Sequence, residues 1–166
     1  MEFRYHDDSL TLHTDLYQIN MMKTYWETGL HEKKAIFEAY FRKLPFENGY
    51  AIFAGLERLV HYIEDLTFSP TDLDYLRSLD IYPEEFLDYL KNFKFKGNIH
   101  SAVEGELVFA NEPLVQVEGS LAECQLIETA LLNIINFQTL IATKASRIRT
   151  VAGDDPVLEF GTRRAQ

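Results

Sequence analysis

Cysteine is almost missing from this 166-residue sequence: Cys124 stands alone, so no intrachain disulfide can form. No stretch approaches the roughly 18 apolar residues of a membrane span, and the opening residues Met1 to Asp8 contain no apolar signal core. Together these absences point to a reducing, cytoplasmic setting with no membrane partner. Basic residues are also scarce, 16 Lys and Arg against 26 Asp and Glu, for a net charge of −10. That balance argues against nonspecific nucleic-acid binding, which needs a basic surface to displace counterions from phosphates. His6, His13, His31, His61 and His100 are scattered, and none has a second His or Cys at metal-ligand spacing. They read as structural or solvated, and no metal site is expected in the chain. The pairs Asp7-Asp8, Glu84-Glu85 and Asp154-Asp155 read as loop and helix-start residues, and Gly153 has no phosphate-loop pattern around it. Internal repeats and low-complexity segments are absent too.

Apolar residues make up 46% of the chain and aromatics 13%, enough for one ordinary domain with a sizeable core. Charge is unevenly spread. Residues 142–166 hold five basic groups (Lys144, Arg147, Arg149, Arg163, Arg164) against three acids, leaving 11 basic and 23 acidic groups elsewhere. A locally basic end on an acidic body suits a focused anion site. The final residues, Glu159-Phe160-Gly161-Thr162-Arg163-Arg164-Ala165-Gln166, join a flat ring to two guanidinium groups, each a planar fork that matches carboxylate or phosphate oxygens.

Periodicity sets out the elements. Helical spacing covers 14–28 through Leu16, Ile19, Met22 and Trp26, with Thr14 or Asp15 as cap and Gly29 as stop. Residues 35–41 alternate as a strand, and 55–66 return to helical spacing. Ser69-Pro70-Thr71-Asp72 opens a short helix, and another begins near Pro83. Across Gly105 to Gly119 the odd positions Leu107, Phe109, Val115 and Val117 are apolar, which predicts a hairpin or bent strand pair with one buried face. A long helix follows from about Leu121 to Thr150, with Ile127, Leu131, Ile134, Phe137, Ile141, Ala145 and Ile148 forming a continuous stripe suited to burial. Lys144, Arg147 and Arg149 lie at its negative dipole end. Gly153 to Pro156 breaks it, and Val157 to Phe160 reads as a new strand without a partner of its own, as at the start of a longer α/β design.

The ordered segments Leu12-His13-Thr14-Asp15-Leu16-Tyr17-Gln18, Phe37 to Pro45, Ala54-Gly55-Leu56-Glu57, Val103 to Glu106, Asn111 to Leu114, Glu128 to Asn133, Ala142 to Ala145 and Glu159 to Gln166 resemble the N-terminal part of the nicotinate phosphoribosyltransferase family nearly end to end. The resemblance implies an α+β fold: the mixed N-terminal domain of a type II phosphoribosyltransferase over residues 1–152, with 153–166 opening a catalytic α/β barrel. It implies an enzyme that joins nicotinate to phosphoribosyl pyrophosphate with ATP hydrolysis, using Mg2+, to give nicotinate mononucleotide in NAD salvage. A homodimer with a shared site is also implied. Tyr17 then stacks on nicotinate across the dimer interface and Phe160 supplies the opposite face, while Arg163 and its neighbour Arg164 lie beside the ring and phosphates. Asp15 either orients Tyr17 or a bound group or caps its helix; Lys144 and Arg147 are candidates to reach anionic substrate from the long helix. The family's phosphohistidine is expected beyond residue 166, so no catalytic residue falls in this stretch and the 166 residues alone are expected to be inactive. Nicotinamide or quinolinate phosphoribosyltransferase, and a noncatalytic module or half of a split enzyme, remain the alternatives.

Overall fold

The computed structural model describes residues 10–47 and 49–161, and within them helices and antiparallel strands combine in an α+β arrangement. The five α-helices among these residues are α1 (Leu16–Glu27), α2 (Leu56–Glu64), α3 (Pro70–Ser78), α4 (Glu84–Lys91) and α5 (Leu121–Ala152). The strands are β1 (Lys34–Ala39), β2 (Ala51–Ile52), β3 (Asn98–Ser101), β4 (Leu107–Val108) and β5 (Val115–Ser120). One antiparallel sheet has the order β1-β5-β3, with Val117 opposite both Phe37 and Ile99; β2 and β4 pair separately. Helix α5 packs against both sheets as well as α1 and α2, so it is the spine of the domain.

Local chemistry fixes the helix starts. At α3, where the sequence predicts a helix start, Ser69 Oγ accepts from the Asp72 N–H at 3.1 Å and the Asp72 carboxylate accepts from the Ser69 N–H at 2.8 Å, a reciprocal capping box. Helix α5 opens with the same arrangement between Ser120 and Glu123, and Gly153 ends it at φ 57. Helix α2 is started differently: the Gly55 and Leu56 N–H groups donate to the Glu104 carboxylate at 2.7 and 2.8 Å. Gly55 sits at φ 109, and a Cβ there would lie 3.2 Å from the Ile134 carbonyl oxygen, so both backbone and packing require glycine.

Three expectations change. The Gly105 to Gly119 stretch is no hairpin: β4 joins β2 while β5 becomes the centre of the other sheet. Leu107 and Phe109 are exposed and Val108 is buried, whereas Val115 and Val117 face the core. Asn111, in left-handed backbone at φ 63, turns the chain between the two strands and shifts the buried phase by one residue. Second, the α5 stripe is buried only through Ile127, Leu131 and Ile134, while Ile141, Ala145 and Ile148 are exposed. Its later turns bury Thr139 and Thr143 instead, because the edge of β2 needs hydrogen-bond partners. Thr143 Oγ1 accepts from the Ile52 N–H at 2.9 Å; Thr139 Oγ1 accepts from the Ala54 N–H at 3.2 Å and donates to the Ala54 carbonyl at 3.1 Å. Third, Val157 to Phe160 forms no strand among the described residues, since a ladder needs a neighbour and none is paired with it. By length and composition alone α5 could cross a membrane, contrary to the sequence reading. Its buried Gln125, Thr139 and Thr143 are instead bonded to neighbouring elements, as in a core helix.

Candidate functional site

Tyr17 lies on the outer side of α1, half exposed at 50%, while the next residue, Gln18, is wholly buried. The two are joined: Gln18 Nε2 donates to Tyr17 Oη at 3.0 Å. The same amide nitrogen donates to Thr129 Oγ1 of α5 at 3.3 Å, and Thr129 Oγ1 donates to the Asp15 carboxylate at 3.3 Å. On the other side Gln125 Nε2 donates to Gln18 Oε1 and, at 3.3 Å, to the Glu128 carboxylate; Tyr25 Oη donates to Gln125 Oε1 at 3.2 Å. A chain of polar side chains thus crosses the α1–α5 interface and ends on the exposed phenol. Asp15 occupies the cap position of α1, but its side chain makes no capping bond. Its carboxylate accepts from Thr129 instead, which ties it to Tyr17 only through Thr129 and Gln18. Partial burial first, then the nearby Glu128 and Asp15 carboxylates, raise the Tyr17 phenol above its ordinary pKa and keep it protonated.

Lys144 and Arg147 are elsewhere. They sit fifteen or more residues beyond Thr129 on α5, about 22 Å along an axis that rises ~1.5 Å per residue. There they line an open groove of about 620 Å3 with Phe46, Ile148, Val151 and Ala152. The Arg147 guanidinium carbon stands 5.8 Å from the centre of the Phe46 ring, within cation–π range. Phe46 and Glu47 both adopt left-handed backbone, φ 62 and 52, a cost of about 1 kcal/mol or more each for residues with a Cβ. Phe160 is 92% exposed, and among the described residues neither it nor Tyr17 has an aromatic neighbour. A single chain therefore does not assemble the expected stack. Arg163 and Arg164 lie outside the described residues.

Sequence reasoning missed Gln18, Gln125, Glu128, Thr129 and Phe46. The available signal was polar: Gln125 lies inside the wholly buried run Ala122 to Ile127, where an amide must have partners.

The family model described as the nicotinate phosphoribosyltransferase (NAPRTase) N-terminal domain matches residues 12–136. The chain belongs to that family. It is 62% identical over 165 residues to the nicotinate phosphoribosyltransferase of Bacillus subtilis, covering 99% of this chain and 34% of that protein. The Caenorhabditis elegans nicotinate phosphoribosyltransferase is 44% identical over 167 residues, covering 96% of this chain and 29% of that one. The crystal structure of human nicotinic acid phosphoribosyltransferase superposes with a TM-score of 0.83 at 36% identity, over 92% of this chain and 31% of that chain. A nicotinate-nucleotide pyrophosphorylase from Pyrococcus furiosus superposes with a TM-score of 0.71 at 25% identity, over 100% of this chain and 36% of that one. The chain thus spans about a third of the length of the curated relatives it matches. The match includes α1 and α5 as far as residue 136, and so the whole Tyr17 network, but stops before Lys144 and Arg147.

Proposed function

We propose that this chain provides the N-terminal domain, and one wall of the base site, of an enzyme that joins nicotinate to phosphoribosyl pyrophosphate. The product is nicotinate mononucleotide, for NAD synthesis, and ATP hydrolysis accompanies the reaction. The observation that carries this reading is Tyr17: a half-exposed ring, fixed from beneath by a buried amide, within a domain of the nicotinate phosphoribosyltransferase family. A flat phenol offers a stacking face to a pyridine ring, and stacking fixes the ring plane so that its nitrogen meets the anomeric carbon in line. As pyrophosphate leaves, positive charge builds on the ribose and negative charge on the leaving group, so cations near the phosphates favour the transition state. Arg163, with Arg164 beside it, is proposed for that role.

Tyr17 and Phe160 share no ring contact within one chain, which fits a homodimer in which Tyr17 of one subunit faces Phe160 of another. Residues 153–166 are proposed to lead into a catalytic barrel that carries the phosphohistidine, and the setting is proposed to be cytoplasmic. Lys144 and Arg147 are assigned to anionic groups away from the base, in view of their distance from Tyr17. Among the described residues no group of three or more His, Cys, Asp or Glu is placed to hold a metal ion. A decisive test replaces the matching third of the Bacillus subtilis relative with this chain and then exchanges Tyr17 for Ala. The parent chimera should form nicotinate mononucleotide and Tyr17→Ala should lose at least about tenfold in kcat/KM for nicotinate, the effect of ~1.4 kcal/mol. An unchanged nicotinate KM and turnover would overturn the role.

A further inference from the structure

Gln18 makes three side-chain hydrogen bonds, and its surroundings decide which way its amide points. Both ends of the network are carboxylates, Asp15 and Glu128, which as anions only accept hydrogen bonds. Thr129 must therefore give its one hydroxyl proton to Asp15, and so can only accept from Gln18. That requirement turns the Gln18 amide nitrogen toward Thr129 and Tyr17, with its carbonyl toward Gln125. From the other end, Glu128 calls for a donor and Tyr25 supplies another, which sets Gln125 with its nitrogen toward Glu128 and Gln18 and its oxygen toward Tyr25. The two arguments start from opposite carboxylates and agree. A flipped Gln18 would set two amide nitrogens facing each other and leave Thr129 without a donor. With both Gln18 N–H bonds spoken for, the Tyr17 oxygen accepts, and its own proton has no acceptor among the described residues.

We propose that Gln18 is a positioning residue: held between Asp15–Thr129 and Gln125–Glu128, it fixes the Tyr17 ring and turns its phenolic proton outward as a donor to an anionic oxygen of the bound substrates. The proposal rests on the reading that Tyr17 faces the base. It adds that the hydroxyl, and not only the ring, is used, and that Gln18 acts through it. The anionic oxygen belongs either to the carboxylate of the base or to a phosphate of phosphoribosyl pyrophosphate.

The test uses the active chimera and four variants: Tyr17→Ala, Tyr17→Phe, Gln18→Met and the double variant Tyr17→Phe/Gln18→Met. A hydrogen bond to a charged group is worth about 1.5–3 kcal/mol, so Tyr17→Phe should raise one substrate KM by at least about tenfold while kcat changes less than about twofold. A rise confined to nicotinate identifies the carboxylate, and a rise confined to phosphoribosyl pyrophosphate identifies the phosphate. Gln18→Met should raise the same KM, and the double variant should be no worse than Tyr17→Phe, because both remove one interaction. Should Gln18→Met fail to fold, Thr129→Val, which frees the amide from Asp15, is expected to raise the same KM. Wild-type KM values in Tyr17→Phe, or losses that multiply in the double variant, would overturn the proposal while leaving the stacking role intact. An unaffected Tyr17→Ala would instead remove the reading beneath it.

Discussion

Replacing Thr139 by Val tests the finding that buried hydroxyls tie the later turns of α5 to β2 and the segment after it. Thr139 is completely buried, and its hydroxyl both accepts from the Ala54 N–H at 3.2 Å and donates to the Ala54 carbonyl at 3.1 Å. Valine has nearly the same shape, so no cavity opens and the loss is confined to the two hydrogen bonds. Each backbone group left unpaired costs about 1–3 kcal/mol when fully buried. Ala54 is only half-buried, which lets water relieve part of that penalty, and the low end applies: about 2 kcal/mol in all. Thr139→Ser keeps the hydroxyl and loses one methyl group, worth about 0.8 kcal/mol. Urea unfolding of the chain, followed by far-ultraviolet circular dichroism, compares the three. The order wild type, Ser, Val is expected. A valine variant within about 0.5 kcal/mol of wild type, or a serine variant as unstable as valine, would refute the reasoning.

Further substitutions test other parts of the structure. Tyr62 Oη is buried without a hydrogen-bond partner among the described residues, so Tyr62→Phe should leave stability unchanged or raise it by up to about 1 kcal/mol in the same urea assay. At Gly97 a Cβ would lie 2.4 Å from the Glu118 carbonyl oxygen, a backbone atom that cannot swing away; Gly97→Ala should lower the urea midpoint markedly by separating β3 from β5. Burial, with the Glu32 and Glu123 carboxylates, pushes the Tyr89 phenol up to about 12. Its raised folded-state pKa favours the folded form, a contribution present in full below the unfolded phenol value of about 10 and lost as pH rises toward 12. Unfolding free energies measured at pH 8, 10 and 11 should therefore fall with pH, and Tyr89→Phe should flatten the decline. The purified 166-residue chain, incubated with nicotinate, phosphoribosyl pyrophosphate, ATP and Mg2+, should give no nicotinate mononucleotide by chromatography.

The helices were legible in the sequence because their signals are local. Ser69 and Asp72 cap α3 within a four-residue stretch, and Gly153 marks the end of α5 through its own backbone. Strands β2 and β4 were not, since each has two residues and no period can be read from two positions. The inward turn of Thr139 and Thr143 was hidden for a different reason: polarity placed them outside, and only the unpaired edge of β2, distant in sequence, brings them in. The same split runs through the candidate site. Tyr17 and Asp15 stand out beside each other in one motif, but Gln18 joins Thr129 across 111 residues and Gln125 across 107, and such partners show only when α1 lies on α5. Lys144 and Arg147 stand out by charge alone, and charge does not reveal that they lie far along the helix from Tyr17.

The most direct test of the account is the choice of base by the chimera that carries this chain in place of the matching third of the Bacillus subtilis enzyme. Nicotinate, nicotinamide and quinolinate would be supplied in turn with phosphoribosyl pyrophosphate, ATP and Mg2+, and the mononucleotide products measured. The account predicts nicotinate mononucleotide from nicotinate at a kcat/KM well above that of the other two bases, with the preference diminished by Tyr17→Ala. Preferential use of nicotinamide or quinolinate, or nicotinate turnover untouched by Tyr17→Ala, would contradict it.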